Sequence, residues 1–276
     1  MGLLLTLTSS SASFSPTDLS NLALWLDAGD SSTITESGGA VSQWDDKSGN
    51  ARNISQGTGA NQPTYTSGSH VSFNGTTDYL YTSSPFMHAA GAITAFLVYD
   101  NVTNAGGAIL SESNYTNNTP LYVPVTVNTT GTSMRFLNRD DLATMSGGIN
   151  VKDLGGTFFD GVATGVAAFK DTGTELNAYD DGVITSLSPL DYTRGSTTTL
   201  NRMTVGATIR TSVIDYVQGD IKEIVIYEGS LTNAEMNQVG NYLASKWGLA
   251  WADLSTTQNI ITGADNVIVG VDNLIL

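Results

Sequence analysis

The chain has 276 residues, a formal net charge of −15 and a pI near 4.2, and it contains no cysteine. Its 11 lysines and arginines are scattered, so the basic clusters that hold phosphates are missing, which excludes nucleic-acid binding and attraction to an anionic membrane. The lack of cysteine excludes a disulfide framework, thiol catalysis and Cys-ligated zinc. Charged residues make up only 13% of the chain while Gly, Ser, Thr and Asn abound, which favours turns and polar strands.

Residues 1–17 read as an N-terminal arm ending at Phe14, Ser15 and Pro16. Its apolar start, Met1 to Leu7, is short and has no basic flank, so it reads as an arm or edge strand and not as a signal or a membrane span. The body, residues 18–250, alternates short apolar runs with turn clusters, the pattern of an all-β sandwich. Strands are expected near Leu22–Leu26, Ala40–Trp44, Val71–Phe73, Tyr79–Tyr81, Ile93–Tyr99 and Ala108–Ser111. They continue near Tyr122–Val127, Met134–Leu137, Val162–Lys170, Thr174–Tyr179, Thr204–Ala207 and Ile221–Tyr227. Asp180, Asp181 and Gly182 mark a hairpin turn. The Asn/Thr/Gly-rich stretch 100–200 reads as long rim loops, where recognition tends to sit.

One helix stands out. Thr232 and Glu235 form a capping box, in which the hydroxyl accepts from the third helical amide and the carboxylate reaches back. Leu231, Met236, Val239, Leu243 and Trp247 recur at helical spacing, and Gly248 sits where a left-handed terminator is wanted. With a single long helix the chain cannot build the crossovers of a parallel sheet. The expected fold is therefore all-β: an antiparallel jelly-roll β-sandwich with one C-terminal amphipathic helix and a short β-repeat tail.

That tail, residues 251–276, carries a seven-residue repeat in which a polar corner precedes an apolar group: Ile260 and Ile261, then Val267, Ile268 and Val269, then Leu274, Ile275 and Leu276. Three such units cannot bury their own apolar groups, so they call for another chain, as an oligomerisation or anchoring device, or for docking as a final strand pair on the same domain. Trp251, just beyond the helix, suits either core packing or an exposed face that stacks on a sugar.

Four stretches, spanning about residues 19–249, resemble concanavalin A-like (laminin G-like) jelly-roll domains of the kind found in bacterial surface proteins and bacteriophage virion proteins. They are Leu24 to Asp30 (LWLDAGD), Val41 to Asn53 (VSQWDDKSGNARN), Gln62 to Leu80 (QPTY, then VSFNGTTDYL), and the closing strand and helix from Gly219 to Leu249. The lead-in from Phe14 to Leu19 resembles that of phage virion members. The order of the motifs is specific for the fold and not for a ligand.

The chemistry of catalysis is sparse. Retaining glycosidases on this fold need two carboxyls about 5 Å apart. The laminarinase-like relatives supply them from a Glu-x-Asp-x-x-Glu strand, and none of the six glutamates here (Glu36, Glu112, Glu175, Glu223, Glu228, Glu235) has an Asp two residues on. Two histidines, His70 and His88, are too few for a His-rich metal site, and they read as surface or hydrogen-bonded side chains. Calcium takes about six to eight oxygens, and relatives often carry one at the rim. Asp45 and Asp46 are the first candidates for it here, although aspartates at strand ends more commonly cap turns. No other cofactor is implied. For sugar stacking, the loop-proximal tyrosines Tyr115, Tyr122 and Tyr192 are the candidate rim aromatics, while Trp25, Trp44 and Trp247 are assigned to the core.

The resemblance implies a non-enzymatic bacteriophage virion structural protein: a capsid decoration or head or tail fibre component on the virion exterior. It would self-associate, as a trimer in this reading, and contact capsid or tail proteins and a cell-surface glycan. The alternative is a secreted or cell-surface, and hence extracellular, carbohydrate-binding module. A glycoside hydrolase is the least favoured reading.

Overall fold

The apolar run Ile224 to Tyr227 lies in the strand on which the whole molecule is built. In the computed structural model, which describes residues 13–140, 150–185, 187–195 and 199–255, the strand Gln218–Glu228 pairs with Ile93–Thr103 on one side. On its other side lie two strands end to end, Leu22–Asp27 and His70–Asn74. Thr164–Asp171 and Glu175–Asp180 extend this first sheet beyond Ile93–Thr103, and every pairing is antiparallel.

The second sheet runs Leu80–Thr82, Arg202–Val205, Ala108–Asn114, Asn117–Val127, Met134–Arg139 and Asn150–Gly155. Short polar strands close the side between the sheets. His70–Asn74 pairs with Thr64–Thr66, which joins Ala40–Trp44, then Ile54–Ser55, then Leu80–Thr82. The antiparallel jelly-roll sandwich expected from the sequence is thus the observed fold.

Alternation divides the first sheet's residues between two cores. Leu24, Leu26, Leu97, Ile224 and Ile226 face the second sheet's Leu110, Val125, Phe136, Met203 and Val205. Their neighbours Trp25, Phe96, Val98, Val225 and Tyr227 face outward and are covered by the helix Asn233–Trp247. A sheet covered on both faces reads as continuous apolar runs instead of alternating ones. The helix buries Met236, Val239 and Leu243, each contributing roughly 1.5–3 kcal/mol. Its capping box is present as read, with Thr232 accepting from the Glu235 amide, and Gly248 ends it at φ 67°. The hairpin at 180–182 also forms, pairing Tyr179 with Ile184 and Asp180 with Val183. Among the described residues, no helix is long and apolar enough to cross a membrane.

Both flanks of the body are docked. Phe14 packs edge-on against Tyr242 at 6.1 Å, and the Tyr227 hydroxyl donates to the Pro16 carbonyl. Beyond the helix the chain folds back along it. Trp251 is 9% exposed and lies on Gly240, where a Cβ would stand 2.2 Å from the indole ring. Three asparagines one turn apart then hold the returning segment: Asn241 donates to the Asp253 carboxylate, Asn237 to the Leu254 carbonyl and Asn233 to the Ser255 carbonyl. Trp251 therefore belongs to the outer core, and residues 251–255 are part of the folded body. The repeat residues Ile260, Ile261, Val267, Ile268, Val269, Leu274, Ile275 and Leu276 lie outside the described residues.

Strands missed in the sequence are short or polar: Ile34–Ser37, Ile54–Ser55, Thr64–Thr66 and Asn150–Gly155. Pairing partners far along the chain create them, and local periodicity does not mark them.

Candidate functional site

The body buries two clusters of carboxylates. The first is built from the opening and closing motifs. Glu223, fully buried in the central strand, accepts from the Trp25 and Trp247 indoles at 2.7 and 2.6 Å and from the Lys246 ammonium at 2.7 Å. Lys246 also reaches Asp27 at 2.5 Å, and Lys47 bridges Asp27 and Asp30 at 2.8 and 2.9 Å. Burial pushes the Glu223 carboxyl above its usual range, with the Asp27 charge adding to the effect and Lys246 opposing it. Ser32 and Lys47 hold Asp30 down at about 2. Every carboxylate here is matched by side-chain donors, and the cluster ties the helix to the sheet.

The calcium candidates sit beside this cluster and organise a loop. The Asp46 carboxylate accepts from the Trp25, Ser48 and Arg52 amides and from the Ser48 hydroxyl at 2.8–3.0 Å. Asp45 accepts the Gln43 side-chain amide at 2.6 Å. At Asp46 both carboxylate oxygens are engaged by donors. Among the described residues, no group of three His, Asp or Glu side chains is placed to hold a metal ion.

The second cluster lies at the end of the sandwich where Ile93–Thr103 begins and Thr164–Asp171 ends. Glu112, also fully buried, points inward from Ala108–Asn114. Three consecutive amides close over it, those of Phe86, Met87 and His88, at 2.5, 2.7 and 2.9 Å. Burial raises its carboxyl despite these bonds. Asp171, likewise buried, accepts from the Tyr122 and Tyr192 hydroxyls at 2.6 Å each and from the Gly173 amide at 2.7 Å. The Arg194 guanidinium stands 3.5 Å from Asp171 and 5.0 Å from the centroid of the Tyr122 ring. It also donates to the Gly91 and Met87 carbonyls.

Above this cluster opens a recess of about 470 Å³, with His88, Arg194 and Glu112 as its polar lining and Pro85, Ala89 and Leu200 among its apolar walls. Convergent polar groups in a partly apolar concavity are the usual form of a small-ligand site.

The candidate rim tyrosines divide. Tyr122 and Tyr192 are brought together, but beneath the recess: they are 0% and 7% exposed. Their reading as exposed rim aromatics is corrected, because both hydroxyls are spent on Asp171 and both rings pack edge-on against Phe136. Tyr115 is 46% exposed, with the Arg202 guanidinium 4.1 Å from its ring, and is not among the residues that line the recess. His70 is hydrogen-bonded as read, to Ser69 at 2.9 Å, and lies 3.6 Å from Asp220.

Sequence reasoning missed Glu112 and Arg194 as site residues. The one local signal was a carboxylate in the middle of a strand whose neighbours, Leu110, Ser111 and Ser113, are all buried.

No family model matches the chain, and no curated protein sequence matches it. Solved structures do share the fold. A Trypanosoma rangeli sialidase in complex with 2,3-difluorosialic acid superposes with a TM-score of 0.54 at 14% identity, covering 83% of this chain and 34% of that one. The CBM40 domain of the Ruminococcus gnavus IT-sialidase superposes with a TM-score of 0.50 at 17% identity, covering 62% of this chain and 96% of that one. The chain thus spans about a third of the sialidase and nearly all of the CBM40 domain. At these identities the likeness is one of fold.

Proposed function

We propose that this chain is a non-catalytic carbohydrate-binding module whose ligand seats in the recess at Arg194, His88 and Glu112. The observation that carries the reading is the recess itself, a concavity with donors, acceptors and apolar wall converging on a volume suited to a sugar unit or two. Sugars present hydroxyls beside patches of C–H surface, so a site of this mixed lining fits them. The fold's occurrence in a CBM40 domain and within a sialidase supports the same reading over a purely structural role.

The chemistry of the recess supports the non-catalytic part of this reading. A glycosidase needs one carboxyl free to protonate the leaving group and a second free to act as base or nucleophile. Here Glu112 is held by three amides and Asp171 by two phenols and an amide. The resemblance to phage virion domains bears on where such a module is carried, and carriage on a virion exterior is the corresponding part of the proposal. It has its own test, light scattering of the full chain and of a chain cut after Ser255, where an oligomer that becomes monomeric supports assembly through the tail.

The binding test is an oligosaccharide array followed by titration calorimetry on wild type and Arg194→Ala. The expected result is saturable glycan binding, weakened about tenfold or more by Arg194→Ala, as loss of one charge-assisted hydrogen bond implies. Equal affinity in the folded variant would place the site elsewhere. Release of reducing sugar from a bound glycan would overturn the non-catalytic part.

A further inference from the structure

We infer that the recess selects uncharged sugars over acidic ones, because its guanidinium is already neutralised from beneath by a buried carboxylate. This rests on the carbohydrate-binding reading and narrows it to a ligand class.

Arg194 is the one lysine or arginine lining the recess among the described residues. An exposed, unpaired arginine there would favour a carboxylated sugar such as a sialic or uronic acid. Arg194 is not in that state. Asp171 stands 3.5 Å from it and is itself fully buried. Two phenol hydroxyls and an amide fix that carboxylate in place, so it cannot swing away to make room for a competing anion. Two further guanidinium donor positions are committed to the carbonyls of Gly91 and Met87.

With the His88 imidazole uncharged, the rest of the lining adds negative charge or none. Glu112 lies at the floor. If ionised, it sets two carboxylates against one cation. If protonated, it leaves a neutral pair. Neither state offers an acidic ligand a net positive charge. An arriving carboxylate would either displace Asp171 from Arg194, leaving a fully buried charge unpaired, or sit as a further anion in a small, partly desolvated space. Both are costly. The net charge of −15 acts in the same direction at long range. A neutral sugar meets none of these costs and can hydrogen-bond where Arg194 and His88 line the recess.

The probe is an array carrying neutral oligosaccharides beside their sialylated and uronic-acid-containing counterparts, read at pH 8, where an ordinary histidine is uncharged. Calorimetry on the strongest neutral glycan and its acidic counterpart follows, at low and high salt. Neutral glycans should bind at least about tenfold more tightly, and the gap should narrow as salt screens the repulsion. Asp171→Asn should narrow it further by unmasking the guanidinium. If that variant fails to fold, the salt series on the wild type still decides the matter. Tighter binding of acidic glycans, or acidic affinity that falls as salt rises, would overturn the inference while leaving a carbohydrate site in place. Binding to neither class by the folded protein would instead remove the carbohydrate reading, and this inference with it.

Discussion

The two buried carboxylate clusters start from the same ingredient, a glutamate in mid-strand with no exposed surface, and end differently. Around Glu223 the donors are side chains: two indoles, an ammonium and, at 3.2 Å, the Tyr242 hydroxyl. They come from the first strand and the helix, so the carboxylate acts as a knot between elements distant in sequence. Around Glu112 the donors are backbone amides of one loop, and space opens beyond them. Burial of a carboxylate therefore does not by itself mark a functional site. Whether side chains or backbone satisfy it, and whether a cavity adjoins it, separates the knot from the recess.

The contrast breaks most visibly at the knot. Glu223→Ala strips the partner from Lys246 and from both indole N–H groups, and should lower unfolding stability by about 3–5 kcal/mol. Urea denaturation measures this, and glycan affinity of the fraction still folded should be unchanged. A loss below about 1 kcal/mol would mean that water or Asp27 replaces Glu223, and the knot would lose its meaning.

A smaller effect, with a distinct pH signature, belongs to Glu112→Gln. Burial raises the folded-state pKa of Glu112 above the unfolded value. Its contribution is thus fully present below the unfolded pKa, near 4.5, and is lost as pH rises through the folded value. The stability of wild type relative to Glu112→Gln should fall from pH 4 towards pH 8, as read from denaturation midpoints at each pH. A flat difference would mean that the three amides fully offset the burial.

The smallest effect is at the edge of the knot. Asp30 is partly exposed, and its pKa is lowered to about 2. The stability it supplies is present above the unfolded value of 3.8 and lost as pH falls through about 2. Solvent screening limits Asp30→Asn to about 0.5 kcal/mol at pH 7, with no difference from wild type expected near pH 1.5. A neutral-pH loss as large as that of Glu223→Ala would place Asp30 inside the knot instead of at its margin.

What could be read in the sequence follows from the range of each interaction. The helix and its ends were legible because capping and apolar spacing act within a few residues, as Thr232, Glu235 and Gly248 show. The central strands were legible because burial on both faces leaves continuous apolar runs. The recess was not, because its parts come from residues 85–91, 112, 171, 194–195 and 200. Tyr122 and Tyr192 were misjudged for the same reason. A tyrosine beside a loop suits a rim equally well, and the carboxylate that draws both hydroxyls inward lies 49 and 21 residues away. Trp25 was correctly assigned to the core, but the partner of its indole, Glu223, lies 198 residues away.

The row of Asn233, Asn237 and Asn241 gives the end of the body a mechanical character. The chain from Trp251 to Ser255 runs back along the helix, fastened at three successive turns and seated at Gly240. A pull on residue 256 along the helix axis loads all three fasteners together, in shear. The same pull directed away from the helix opens them singly, like a zipper, beginning at Asn233 and reaching Trp251 last. A tether attached through this segment would thus hold firmly in one direction and release in another, before any strand of the sandwich is disturbed.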